Sequence, residues 1–240
     1  MVFDYAYCQT IENFNKDGRI SLPGVLKLFE NTASAHADYA KEGVYSNRPK
    51  DFAWVLTDWF IEIESRPHFT DRIKAKTWAE FLESPLLVTR NFILCANEED
   101  CIKGCSKWIM LDLEKNRPRK IDEEKNLYKY MPEYKTIYGN KKLCKIPEPE
   151  KYDIEKEIEL RRSDFDFNNH VHNTVYLDLA FETMPQEVIE NTEFKSLRIS
   201  YKSAFVKQEK IVCKYAKVDD SYIIGVYDKE NILHTLIMLK

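Results

Sequence analysis

The sequence predicts an α+β protein built as two tandem copies of one unit, each an antiparallel sheet wrapped around a central helix. Three observations carry that expectation. Each half holds one strongly apolar helical segment followed by four runs rich in Val, Ile, Phe, Trp and Thr. The helical segments are apolar nearly all round, as befits a helix enclosed by other structure. The halves also correspond at a constant spacing: Ile61, Ile63, Asp71, Ile73 and Lys76 align with Ile199, Tyr201, Glu209, Ile211 and Lys214, an offset of 138.

The first element is a helix from Ser21 to about Glu42. Ser21 suits its N-cap, Pro23 fits the first turn where a missing N–H costs little, and Gly43 stands where a stop is expected. Strands follow at about 54–64, 72–81, 85–96 and 102–112, separated by turn residues such as Asn97-Glu98-Glu99-Asp100. Asp122–Tyr134 reads as a short helix. Two prolines among charges, Lys145-Ile146-Pro147-Glu148-Pro149-Glu150-Lys151, predict a stiff solvated linker, dividing the chain into domains 1–144 and 152–240. In the second domain a strand at about 152–161 precedes a helix from Asn173 to Met184, stopped by Pro185. Strands at about 196–203, 209–217, 222–228 and 232–239 complete it.

Composition narrows the function. Of 240 residues, 44% are hydrophobic and 32% charged, an ordinary globular balance, while 13% aromatics and only 6 Gly suit strands better than a glycine-rich nucleotide fold. A net charge of −4 gives no basic field for nucleic acid, so the two local basic clusters, Lys115–Lys120 and Arg161-Arg162, are surface or a landing patch for an acidic partner. No apolar run approaches the ~20 residues of a membrane span. Met1-Val2-Phe3-Asp4-Tyr5 does not open as a signal peptide, and six scattered cysteines lack the pairing of a zinc site or a secreted framework. A cytoplasmic protein with reduced thiols is expected.

Asp164-Phe165-Asp166-Phe167-Asn168-Asn169-His170-Val171-His172-Asn173-Thr174-Val175-Tyr176 is the most informative stretch. In an extended strand, alternation would set Asp164, Asp166, Asn168 and His170 on one face, just before a helix N-terminus whose free N–H groups could receive an oxyanion. Its opening also resembles a calcium loop, but that loop needs Gly at its sixth position and Glu at its twelfth, where Asn169 and Val175 stand. His170 and His172 with Asp166 lack a third histidine, so no metal is assigned. Asp and Asn also cap and turn chains, a reading that accounts well for Asn173 taken singly. The first domain's matching stretch, Lys16-Asp17-Gly18-Arg19-Ile20-Ser21, has no such face.

The motif is similar to the D-x-D-x-N-x-H-V-N-N-x-x-Y signature of acyl-acyl-carrier-protein thioesterases, which enters the second helix of a tandem hotdog fold. Asp164, Asp166, Asn168, His170, Val171, Asn173 and Tyr176 match, and His172 replaces the usual Asn. Trp54, Asp58, Pro67 with Asp71-Arg72-Ile73, and Arg90-Asn91-Phe92 resemble the family's first domain. The resemblance implies two hotdog domains, an acyl pocket and pairing surface in the first and catalysis in the second. It assigns Asn168 and His170 as catalytic and Asp166 as the residue that positions or activates them. Asp164, Asn173 and Tyr176 are in support, and no cofactor is implied. The implied partner is acyl-loaded carrier protein, docking on Arg161 and Arg162, and the implied state is a monomer or homodimer. One departure stands out. The family's Glu, followed by Cys in plant members, aligns with Ala204 and Phe205. Either Asp166 or His170 serves as base, or the alignment slips, or activity is weak. Two alternatives to the carrier-protein thioesterase stay open: a thioesterase or dehydratase acting on acyl-coenzyme A, and a non-catalytic acyl-binding hotdog.

Overall fold

The computed structural model describes residues 2–40, 51–81, 85–121, 137–138, 145–206 and 210–240. The chain separates into two compact units, Met1–Lys142 and Leu143–Lys240.

The first unit runs β1 (Phe3–Ala6), a 3-10 turn (Ile11–Asn13), α1 (Leu22–Tyr39), β2 (Phe52–Ile63), β3 (Ile73–Phe81), β4 (Leu87–Ala96), β5 (Glu99–Asp112) and β6 (Arg117–Arg119). Its strands lie in the order β1-β3-β4-β5-β2, all pairs antiparallel, with β6 on β5. The predicted cap is in place: the Gly24 N–H donates to Ser21 Oγ at 3.0 Å. Leu22, Val25, Leu26, Leu28, Phe29, Thr32, Ala33 and His36 are buried, so α1 is covered on most sides. Phe29 stacks on Phe92 and Trp59, with ring centroids 4.8 and 6.2 Å away. Gly104 admits that ring, since a Cβ there would stand 2.8 Å from Phe29 Cε2. Truncating so enclosed an aromatic to Ala costs about 3–5 kcal/mol. The helix ends at Tyr39; Gly43, the expected stop, and the expected helix Asp122–Tyr134 lie outside the described residues.

The second unit runs β7 (Ile154–Glu159), a 3-10 turn (Arg162–Asp164), α2 (Val175–Thr183), α3 (Gln186–Asn191), β8 (Ser196–Tyr201), β9 (Lys210–Val218), β10 (Ser221–Tyr227) and β11 (Leu233–Leu239). Its order, β7-β9-β10-β11-β8, repeats the first unit strand for strand. Both are hotdog-like domains. Ile61 and Ile199 are 0% and 1% exposed, Ile73 and Ile211 3% and 0%, so the spacing of 138 marks equivalent core positions. Lys76 faces Asp4 across β3 and β1, as Lys214 faces Glu155 across β9 and β7, there with an ion pair at 3.1 Å.

Two expectations are refined. Ahead of the helices the repeat changes spacing: Asp4 corresponds to Glu155, an offset of 151, chiefly because α2 has 9 residues where α1 has 18. The segment 145–151 is mostly exposed, as expected of a solvated linker, but it is tethered at two points. Ile146 is buried against Ile223 and Leu236, and the Tyr227 hydroxyl donates to Glu148 at 2.7 Å.

Candidate active site

The polar stretch that precedes α2 is not an extended strand. Phe165 and Val171 pair as an antiparallel bridge, and the five residues between them turn back tightly. The Asp166 N–H donates to His170 O at 2.8 Å, and the Asn169 N–H to Asp166 O at 3.0 Å. Asn169 takes the left-handed conformation at φ 61° that this turn requires and that Asn tolerates better than most residues. Alternation therefore does not set the four polar side chains on one face. Each does something different.

Asp166 holds the turn: its Oδ1 accepts the N–H groups of Asn168 at 2.8 Å and His170 at 3.1 Å. Asp164, 2% exposed, ties the chain upstream, accepting from Arg161 N at 2.7 Å, Nε at 3.0 Å and Nη2 at 2.8 Å. Its carbonyl accepts the His172 N–H at 2.9 Å. Arg161 is thus engaged within the chain, whereas Arg162 is exposed and makes no ion pair among the described residues. Asn168 is exposed and His170 half-buried, and neither side chain has a partner among the described residues.

Its tip is anchored from the far side. The Val171 N–H donates to Phe205 O at 3.1 Å, and His170 bridges Val206. Tyr176, 1% exposed on α2, accepts the Phe205 N–H at 3.3 Å, and its hydroxyl is pushed up to about 12 by burial, despite that hydrogen bond. Asn173 contributes its carbonyl, which accepts the Tyr201 hydroxyl at 2.9 Å. The start of α2 is less open to an oxyanion than expected, because Val175 N–H donates to His172 O and Leu177 N–H to Thr174 O.

Phe205 is fully buried, its ring stacked on His234 with centroids 3.9 Å apart, and Ala204 is exposed. Neither supplies a base. Cys213 is fully buried and its thiol is pushed up to about 12 by that burial, which leaves it inert as a nucleophile. Among the described residues, no group of three His, Cys, Asp or Glu is placed to hold a metal ion.

The first unit carries the same hairpin. Phe14 and Ile20 bridge, Asn15 N–H donates to Arg19 O at 2.8 Å, and Gly18 at φ 76° takes the place of Asn169. Ile20 N–H donates to Pro67 O and Arg19 bridges His68, as Val171 and His170 do with Phe205 and Val206. Here the two tip side chains are occupied. Asp17 accepts the Arg19 N–H at 3.0 Å, and Arg19 Nη1 donates to Arg66 O at 3.2 Å.

Comparison with known proteins adds to this geometry. Residues 1–128 match the family model for the acyl-ACP thioesterase N-terminal domain, and residues 147–236 that for the acyl-ACP thioesterase C-terminal domain. The chain is 30% identical over 160 residues to oleoyl-acyl carrier protein thioesterase 2, chloroplastic, of Arabidopsis thaliana, covering 62% of this chain and 43% of that protein. It spans about half the length of the curated relatives it matches. The fold is shared with 12:0-ACP thioesterase from Umbellularia californica (TM-score 0.85, 18% identity, 100% of this chain and 96% of that one). It is also shared with an acyl-ACP thioesterase from Bacteroides thetaiotaomicron (TM-score 0.81, 17% identity, 99% and 96%).

Proposed function

The chain belongs to the acyl-acyl-carrier-protein thioesterase family, and from that premise we propose that it hydrolyses a fatty acyl thioester on carrier protein, releasing a free fatty acid. The observation that carries this is the hairpin tip of the second unit, where Asn168 and His170 sit on a fixed backbone with side chains bound to nothing else among the described residues. Groups held by their backbone and free at their tips are poised to bind reacting atoms. His170 orients or deprotonates the attacking group, and Asn168 holds that group or the thioester carbonyl.

Asp166 acts on this reading through the turn rather than as the base. Asp164, Asn173 and Tyr176 fix the approach to α2 and the Phe205 segment behind it. The first unit, with both equivalent tip positions occupied, provides the acyl pocket and pairing surface. Carrier protein docks on Arg162, with Arg161 contributing less because Asp164 already engages it. A cytoplasmic setting accompanies this reading, as the five described cysteines are unpaired thiols and no described helix is long and apolar enough to cross a membrane. We assign a monomer or homodimer.

Steady-state hydrolysis of acyl-carrier-protein and acyl-coenzyme A substrates of matched chain tests the proposal. A higher kcat/KM on the carrier-borne acyl group, falling with salt, is the expected result. Equal rates and equal salt response would favour a coenzyme A thioesterase, and no turnover of either would leave an acyl-binding protein.

A further inference from the structure

Outside the hairpin, the second unit holds a hydrogen-bonded chain of a hydroxyl, an imidazole and a carboxylate. Ser203 Oγ lies 2.9 Å from His234 Nδ1, and His234 Nε2 lies 3.2 Å from Asp228 Oδ2. A carboxylate only accepts, so the imidazole proton sits on Nε2 and the Nδ1 lone pair faces the Ser203 hydroxyl. His234 is thus set to take the serine proton at Nδ1, with the two ring nitrogens exchanged relative to the common triad, where Nδ1–H faces the carboxylate and Nε2 takes the proton.

Each member is held in place. Asp228 is 6% exposed, and its other oxygen accepts the Ile232 N–H at 2.8 Å, pinning the turn that leads into β11. Burial raises the Asp228 carboxyl, but the Ile232 N–H and the imidazole more than offset it and keep it below the usual carboxylate range. His234 is 8% exposed, with the Phe205 ring stacked against it. The N–H groups of Lys202 and Ser203 both donate to His234 O, at 2.7 and 3.3 Å, so backbone and side chain fix Ser203 to the same residue. Ser203 itself is exposed. A buried His–Asp pair that merely capped a turn would not need an exposed hydroxyl at its open nitrogen. The chain also runs to the hairpin tip: three residues on, Val206 bridges His170. Three residues of extended backbone reach at most about 10 Å, which a thioester group and its first methylenes can span.

We propose that Ser203 is a nucleophile, activated by His234 and Asp228, that forms an acyl-enzyme with a thioester or activated ester. The choice of a thioester rests on the function proposed above; the serine chemistry does not. Ser203 Oγ bonds to the carbonyl carbon as its proton passes to His234 Nδ1, and the Asp228 carboxylate stabilises the imidazolium. Collapse breaks the C–S bond, and the leaving sulfur takes that proton and departs as the thiol. Water then attacks the ester, giving its proton to His234. The C–O bond to Ser203 breaks, the serine regains the proton, and the carboxylic acid leaves.

The test uses the full chain and a fluorophosphonate probe, which bonds only to activated serines. One adduct is expected, mapping to the peptide that contains Ser203, absent in Ser203→Ala and formed at least ~100-fold more slowly in His234→Gln, the loss typical of a missing general base. Asp228→Asn, which keeps an acceptor for the Ile232 N–H, should slow labelling while circular dichroism stays native. No adduct at Ser203, or an unchanged labelling rate in folded Asp228→Asn, overturns the proposal. Thioester turnover separates it from the function above. Normal hydrolysis by Ser203→Ala sinks the serine nucleophile and leaves the thioesterase reading standing. Labelling at Ser203 without turnover of any thioester supports the serine and sinks that reading.

Discussion

The two hairpins, Asn15–Arg19 and Asp166–His170, share one backbone but use their side chains differently. Both close with an N–H to carbonyl bond of 2.8 Å between first and fifth residues, and both place the fourth residue at positive φ. In the first unit the carboxylate that receives the fifth residue's N–H stands third, at Asp17. In the second it stands first, at Asp166, which also receives the third residue's N–H. Moving that acceptor by two positions relieves the third residue of structural work, and Asn168 occupies it. The fifth position shows the same contrast, with Arg19 tied to Arg66 O and the His170 side chain without a partner among the described residues. A duplicated turn became a candidate site by transferring its stabilisation to one residue.

The largest expected effect comes from emptying the free positions. His170→Ala or Asn168→Ala should lower kcat at least ~100-fold, the usual loss for a positioned acid–base or oxyanion partner. Thermal unfolding should stay within about 2 °C, less than 1 kcal/mol would produce, because these side chains hold nothing. Asp17→Ala and Arg19→Ala should do the opposite, lowering the melting temperature and sparing kcat. A pattern in which all four variants melt early and turn over slowly would erase the contrast.

Asp166 provides the second test. Asp166→Ala removes a charged acceptor from two backbone N–H groups and should cost about 1–3 kcal/mol by urea unfolding. Asp166→Asn retains a carbonyl acceptor at that place and should recover most of the stability and most of the rate. If Asp166 were the general base, Asn would be as damaging to kcat as Ala while the fold survived. That result would return the base role to Asp166.

Much of the fold was legible because its signals are local. Runs of β-branched and aromatic residues marked the strands β2 to β5 and β8 to β11, and enclosure explains helices apolar nearly all round. Short elements escaped: β1 is 4 residues and owes its place to β3, and α3 is a polar 6-residue segment directly after Pro185. The offset of 138 found the sheets but hid the hairpins, which repeat at 151 chiefly because the helices differ in length. The motif Asp164–Tyr176 pointed to the stretch that forms the candidate site but not to its conformation. Alternation suggested a strand, whereas Asp166 and Asn169 are strong turn formers whose own hydrogen bonds dominate over five residues. Ser203, Asp228 and His234 share no local motif. The turn from Asp228 into β11 sets the carboxylate beside His234, and the register of β8 against β11, with Tyr201 opposite Thr235, brings Ser203 to it.

Positive φ gives a smaller and purely structural contrast. Gly18→Ala drives a Cβ into His68 Nε2 at φ 76°, where a non-glycine residue costs about 1–2 kcal/mol before any clash. Asn169→Gly removes a side chain from φ 61° and should change stability by no more than about 0.5 kcal/mol, since eased strain is set against greater freedom of the unfolded chain. Differential scanning calorimetry on the two variants reads both. Equal losses would mean that the Asn169 side chain does more than fit the turn.

The smallest effect separates two adjacent arginines. Arg161 is bound to Asp164 by two side-chain nitrogens, so its charge is largely answered within the chain, whereas Arg162 has no ion pair among the described residues. On the docking proposed above, an acidic carrier protein gains more from Arg162. Exposed ion pairs are worth about 0.2–1 kcal/mol, so Arg162→Glu should raise KM for the carrier-borne acyl group by a few-fold and leave kcat unchanged. The same variant should leave hydrolysis of a short acyl-coenzyme A nearly untouched, and added salt should narrow the gap between wild type and variant. Arg161→Gln serves as the control. It frees the Asp164 carboxylate, so its main consequence should be a lower melting temperature with little change in KM. If Arg161→Gln raised KM more than Arg162→Glu, the docking charge would lie with the paired arginine, and the hairpin's upstream tie would have to open when carrier protein binds.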